Sequence, residues 1–392
     1  MWLRLALKVF ACVCVTWRAV ALSTPQLWAR IDVTSRARTI RIQLSRSGGS
    51  PLTIVYKPRF EDVDDAGLWS ALNNFNGHAA RWACIDLAAQ CSAFSLIPQR
   101  ELPLLQRADI TLRGLYVPDA LHFLRNAPRL QSLNLTLGYK VGNTLAAIEP
   151  LLIPSFLTSL VLTSHNQRRV EASTLLLQQY PPTLERLEIH GDWTPSDTST
   201  ISISPKHFPN LRTAFFERHT HRVLQYIVAP HLCHLTFKFS IRFLGDGDPL
   251  SFLLVFLRNS PECALLTLDL DMVVVEDVAP FLQCAELLGE LKQLHVIGMF
   301  CAGTLMVQDT LQRMTVDDSE NAPLFPKLES LCMRYEIMKL RDSVTAVAAR
   351  SLCASRREAC VRSRIAIAKL DDVDIDILGE DELATVSYNR YL

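Results

Sequence analysis

Apolar residues recur along this chain in two periods. From about residue 80 onward a short motif returns in which the first, fourth and sixth positions are apolar. Its copies are Trp82/Ile85/Leu87, Leu105/Ala108/Ile110, Leu130/Leu133/Leu135, Leu157/Leu160/Leu162, Leu184/Leu187/Ile189 and Leu211/Ala214/Phe216. The series continues with Leu232/Leu235/Phe237, Leu265/Leu268/Leu270, Leu291/Leu294/Val296 and Leu328/Leu331/Met333, and a weaker copy is expected at Ile365/Ile367. Alternation with period two is the mark of a strand, whose successive side chains point to opposite faces. Between copies lie stretches with helical spacing, such as Leu121-His122-Phe123-Leu124 and Ser251 through Leu257. One further strand is expected from Leu52 to Tyr56.

The early copies start about 23 to 27 residues apart and the later ones up to about 37, which fits leucine-rich-repeat spacing with room for one helix each. The expected class is α/β: an irregular leucine-rich-repeat-like solenoid of short parallel strands alternating with helices, behind a small N-terminal helical segment. Pro103, Pro128, Pro182, Pro209, Pro230 and Pro326 each stand two residues before a copy begins. Proline there is expected to end the preceding helix and to bias its neighbour toward extended backbone. The bridging Asn of regular repeats is replaced by Gly138, His165 and Asp192.

In such a strand the third and fifth positions face outward, on the concave side. The expected partner-binding residues are therefore Arg107, Asp109, Asn134, Arg186, Glu188, Phe215, His234, Asp269 and His295. Their mixture of both charges with one aromatic suits recognition of a protein or peptide.

Toward the N-terminus the period changes. Leu3, Leu7, Phe10, Cys14, Trp17 and Ala21 follow helical spacing and draw one apolar stripe. Ser23 or Thr24 is placed to cap a second short helix whose first position is Pro25, with Leu27, Trp28 and Ile31 on its buried side. A secretory signal in residues 1–22, with Ala19-Val20-Ala21 as cleavage site, is the competing reading. Trp17 and Arg18 in the cleavage region and an odd number of cysteines oppose it.

The run from Val13 to Trp28 carries Cys14, Trp17-Arg18, Ala21, Thr24-Pro25 and Leu27-Trp28. It resembles the second half of the F-box in the expanded F-box families of mushroom-forming fungi, where "C-x-x-W-R-x-x-A-x-x-T-P-x-L-W" leads into a repeat region. His78-Ala79-Ala80-Arg81-Trp82 matches a second family signature, "H-x-x-R-W", before a strand. The opening "L-P-x-E-I-L-x-x-I-F" helix is not found ahead of the match. The resemblance implies a partial F-box-like segment at 1–31 and a solenoid with an acidic end at 32–392. It further implies docking on the Skp-type linker of a cullin ubiquitin ligase through Phe10, Val13, Trp17, Pro25, Leu27 and Trp28, with an unidentified protein as the target.

Composition narrows the partners. Forty Lys and Arg balance forty Asp and Glu, so no long-range field steers the whole chain onto nucleic acid or an anionic membrane. No apolar run approaches the length of a membrane-spanning helix. Eleven scattered cysteines without a C-x-x-C pair read as reduced thiols of a cytoplasmic or nuclear protein. His219, His221, His231, Cys233 and His234 are dense but match no common zinc spacing. Gly245 through Pro249 reads as a turn, and Asp371, Asp372, Asp374 and Asp376, alternating with Val373 and Ile375, as a charged terminal strand. With no nucleophile elbow, metalloprotease or dinucleotide motif, neither catalytic residues nor a cofactor is expected.

Overall fold

A computed structural model describes residues 14–58, 76–94, 97, 100–114, 120–138, 156–164, 182–191, 204–238, 249–271, 274–275, 278–297, 300–301, 312–315, 324–336, 351–352, 354–355 and 372–378. The chain forms two compact units, one of residues 1–168 with 175–184, the other of residues 169–174 with 185–392. Phe10, Val13, His165, Asp192, Gly245 and the weak copy at Ile365/Ile367 lie outside the described residues.

The first element among the described residues of the first unit is helix α1 (Val15–Ser23), followed by a 3-10 turn at Pro25–Trp28. Pro25 takes the first position of that turn as expected, but neither Ser23 nor Thr24 caps it. The Thr24 hydroxyl instead donates back to the Val20 carbonyl at 2.7 Å, closing α1. The stripe expected along α1 is only partly covered: Ala21 is buried while Trp17 is 53% exposed. Ile31 is buried as expected, yet on strand β1 (Arg30–Asp32) and not on a helix, so the boundary after residue 31 falls within that strand. Helix α2 (Ala37–Arg46) leads to β2 (Leu52–Tyr56), the strand expected there, then β3 (Trp82–Gln90), a helical turn at Cys91–Phe94, and β4 (Arg107–Arg113). Strands β5 (Ser132–Leu137) and β6 (Ser159–Ser164) complete a parallel ladder in the order β1-β2-β3-β4-β5-β6.

Arg81 explains the second signature in physical terms. Its guanidinium donates to the Ser47 hydroxyl at 2.8 Å and to the Ser50 carbonyl at 2.8 and 3.0 Å. It thereby fixes the end of α2 to the start of β3.

The second unit repeats the plan. It holds β7 (Arg186–Gly191), β8 (Lys206–His207), β9 (Thr213–Glu217), β10 (Ile227–Val228) and β11 (His234–Lys238). After helix α3 (Pro249–Asn259) come β12 (Thr267–Asp271), β13 (Val274–Val275), helix α4 (Val278–Leu287), β14 (Gln293–Ile297), β15 (Phe300–Cys301), β16 (Ser330–Glu336) and β17 (Asp372–Leu378). Seven of these form a parallel ladder ordered β7-β9-β11-β12-β14-β16-β17, while β8 pairs with β10 and β13 with β15. The fold is an α/β leucine-rich-repeat-like solenoid. The last strand among the described residues is Asp372–Leu378, the Asp-alternating segment.

Register confirms the repeat reading. Ile85, Ala108, Leu133 and Leu160 stand side by side in the first unit, as do Leu187, Ala214, Leu235, Leu268, Leu294 and Leu331 in the second. Every expected inward residue whose side chain is described is buried, from Trp82 to Leu331. Burying an apolar side chain of this size contributes on the order of 1.5–3 kcal/mol, and each rung shares that burial with its neighbours.

The prolines have a different cause from the one expected. The Leu105 N–H bonds the Leu102 carbonyl, and Leu130 to Ala127, Leu211 to Phe208, Leu232 to Ala229 and Leu328 to Phe325 repeat the contact. Pro103, Pro128, Pro209, Pro230 and Pro326 are thus the second residue of a β-turn, where the fixed φ of proline is pre-set. The turn feeds a rung whose N–H groups bond the preceding rung: Gln131 and Ser132 both donate to Gln106, and Arg212 and Thr213 to Glu185. The return segments are helical as expected but tighter where repeats are short, with 3-10 helices at His122–Asn126 and Arg218–Tyr226 and α-helices at α3 and α4. Gly138 stands where the bridging Asn would be. Its N–H bonds the Leu112 carbonyl at 2.8 Å, and a Cβ there would lie 2.9 Å from that oxygen.

Candidate functional site

Because inward positions alternate with outward ones, the sheet presents its third, fifth and seventh positions to solvent in straight rows. In the first unit the third-position row runs Cys84, Arg107, Ser132, Ser159 and the fifth-position row Asp86, Asp109, Asn134, Val161. Among the described residues two ion pairs lie on this face. Lys57 reaches Asp86 at 2.9 Å, and Arg107 reaches Asp109 at 2.9 Å along its own strand. The Asp109 hydrogen bond, then its charge, holds the Arg107 guanidinium further toward its protonated form.

The second unit carries the denser set. Arg186, Glu188 and His190 follow one another on the outward side of β7, beside Thr213, Phe215 and Glu217 on β9. Arg186 pairs with Glu188. The His190 ring lies between two carboxylates, with Nδ1 2.9 Å from Glu217 and Nε2 3.3 Å from Glu188. It also lies against the Phe215 ring, with centroids 4.9 Å apart and the planes tilted by 36°. The Glu217 hydrogen bond raises the His190 pKa against the opposing effect of burial, and the same contact lowers that of Glu217. Farther along the row the Thr236 hydroxyl donates to Asp269 at 3.1 Å, and Asp269 meets His295 Nδ1 at 2.8 Å. His234, the first residue of β11 and the third position of its repeat, is exposed.

Arg107, Asp109, Asn134, Arg186, Glu188, Phe215, His234, Asp269 and His295 therefore all occupy the outward rows assigned to them, within their own units. Sequence reading missed His190 and Glu217, which sit at the seventh position. Their signal was present, since the outward alternation Arg186-Glu188-His190 simply continues one step past the apolar motif.

The N-terminal residues divide into two kinds. Trp17 is exposed, at 53%, whereas Pro25, Leu27 and Trp28 are half-buried. The Trp28 indole N–H donates to the Ala21 carbonyl at 2.7 Å, and the Arg46 guanidinium lies 4.4 Å above its ring. Trp28 thus clamps the end of α1 to α2.

His219 and His221 are buried in the 3-10 helix, apart in role from exposed His231 and His234. Burial pushes the His221 pKa down to about 3. Among the described residues no group of three or more His, Cys, Asp or Glu side chains is placed to hold a metal ion. Burial also pushes the Cys263 thiol up to about 12, which keeps it an unreactive thiol. No helix of the described residues is long and apolar enough to cross a membrane.

No family model and no curated protein matches the chain. Among solved structures it is similar to a protein of Bacteroides fragilis, at 14% identity and a TM-score of 0.36, covering 63% of this chain and 66% of that one. It is also similar to an internalin of Listeria monocytogenes, at 14% identity and a TM-score of 0.33, covering 73% of this chain and 79% of that one. The chain thus spans just under two thirds of the length of the Bacteroides protein.

Proposed function

We propose that the chain is a non-enzymatic protein-binding module that captures its target on the outward rows of the strand ladder. The observation that carries this reading is the second unit's face, where Arg186, Glu188, His190, Phe215 and Glu217 combine both charges with an aromatic ring on a backbone backed by buried apolar side chains. Such a face is pre-organised, so little side-chain order is lost on binding.

The finer reading is a substrate-recognition subunit of a cullin-type ubiquitin ligase acting in the cytoplasm or nucleus. Its support is the F-box-like run from Val13 to Trp28 together with solvent-exposed Trp17, which offers a large apolar contact to a linker. Mixing the purified chain with a Skp-type linker and following the complex by size-exclusion chromatography tests it. Co-elution that is lost in Trp17→Ala supports the ligase role. Separate elution rejects that role for this chain and leaves a repeat scaffold without linker binding.

A further inference from the structure

The whole chain is neutral, but its charges are not evenly spread. Between residues 14 and 58 stand seven Lys and Arg against a single acid, Asp32, a net of six positive charges. Helix α2 concentrates them. Ile40 and Gln43 are buried, and the Gln43 amide donates to the Arg30 carbonyl at 3.1 Å, which fixes how the helix is turned. Arg38, Arg41, Ile42, Ser45 and Arg46 consequently line one shallow open groove of about 540 Å³ on the solvent side, with Ile42 39% exposed among them.

This arrangement costs the fold stability. Arg36 and Arg38 stand at the helix N-terminus, where the helix dipole disfavours cations, and the first turn holds no acid. Arg38 and Arg41, three residues apart, repel each other on one face. Among the described residues neither makes an ion pair or hydrogen bond, whereas Arg46 is held over Trp28.

We propose that this face of α2 is a docking site for an acidic protein segment, with carboxylates on Arg38, Arg41 and Arg46 and one apolar side chain against Ile42. Arginine forks match carboxylates with paired hydrogen bonds. The site fits a short segment better than a nucleic acid or a lipid surface. Ten residues of helix span about 15 Å, too little for the many phosphate contacts that nucleic acid binding uses. No aromatic residue lines the groove, and the neighbouring Trp28 ring is covered by Arg46, while the apolar side of the helix is turned inward, not toward a bilayer.

The test uses the full chain and a fluorescein-labelled peptide of Glu-Asp pairs interrupted by Leu, titrated by anisotropy. Its Gln/Asn counterpart, a single-stranded DNA oligonucleotide and phosphatidylserine vesicles serve as competing probes. The acidic peptide is expected to bind, to weaken about tenfold or more in R38E/R41E, and to weaken less in R38K/R41K, which keeps the charge but loses the paired hydrogen bonds. Circular dichroism melting checks the fold, and R38Q/R41Q replaces the reversal if that variant does not fold. Equal affinity of wild type and variant, or equal binding of the Gln/Asn peptide, overturns the site. Tighter binding of the oligonucleotide or the vesicles through the same arginines overturns its assignment to a protein partner. The site shares no residue with the outward rows, so its failure leaves the reading of those rows standing.

Discussion

If the core of the second unit is a ladder of shared rungs, then inward side chains on adjacent strands are energetically coupled and those on distant strands are not. Phe216 on β9 and Phe237 on β11 provide the sharpest test, being register neighbours, fully buried, with ring centroids 6.0 Å apart at 33°. Truncating either to Leu removes ring volume from a packed site and is expected to cost about 1–2 kcal/mol. The ring pair itself contributes about 0.5–1.5 kcal/mol beyond area burial. The double variant should therefore lose less than the sum of the two single variants by that amount. Urea unfolding of the four proteins in the cycle measures it. Phe216→Leu combined with Leu331→Val is the control, four strands away or about 19 Å at 4.8 Å per strand, and should be additive within about 0.5 kcal/mol. A Phe216–Phe237 coupling no larger than the control refutes the stacked-rung account.

Other expectations follow from single sites. His190 has a raised pKa in the folded protein, so its contribution is present below about 6.5 and is lost as pH rises through the folded value. Glu217 has a lowered pKa, so its share is lost as pH falls through the folded value, and His190→Gln should destabilise most between about pH 4.5 and 6.5, by about 1 kcal/mol, in pH-dependent denaturation. His221 works in the opposite sense: held near 3 when folded, it takes up a proton on unfolding below about pH 6.5. Wild type should lose up to about 1.4 kcal/mol per pH unit there, and His221→Gln should flatten that slope. Gly138→Ala should lower stability by about 1–3 kcal/mol by crowding the Leu112 carbonyl, a loss visible in thermal melting. A variant as stable as wild type would show that the neighbouring backbone yields freely.

The rungs were legible because three apolar positions per copy fix both strand and facing. Ile85 through Leu331 needed only period two to be placed. Strand β1 was hidden because three residues with one buried side chain, Ile31, carry no period of their own and are ordered by pairing with β2. The proline offset was visible, but its mechanism depends on a turn hydrogen bond, such as Leu130 to Ala127, that sequence does not display. On the candidate face, Arg186, Glu188 and Phe215 were readable from strand position. The His190 clamp was not, because its partner Glu217 is 27 residues away and meets it only through register. The basic face of α2 escaped notice for a simpler reason: averaging charge over 392 residues returns zero.

The central claim, that the outward rows of the second unit hold a protein target, is tested most directly by proximity labelling with three forms of the chain. These are wild type, the face variant Glu188→Lys/Phe215→Ala, and a control, Val255→Ser, on the exposed side of α3. The account predicts a set of labelled proteins shared by wild type and control and lost from the face variant at equal expression and melting temperature. Retention of the same proteins by the face variant would contradict it.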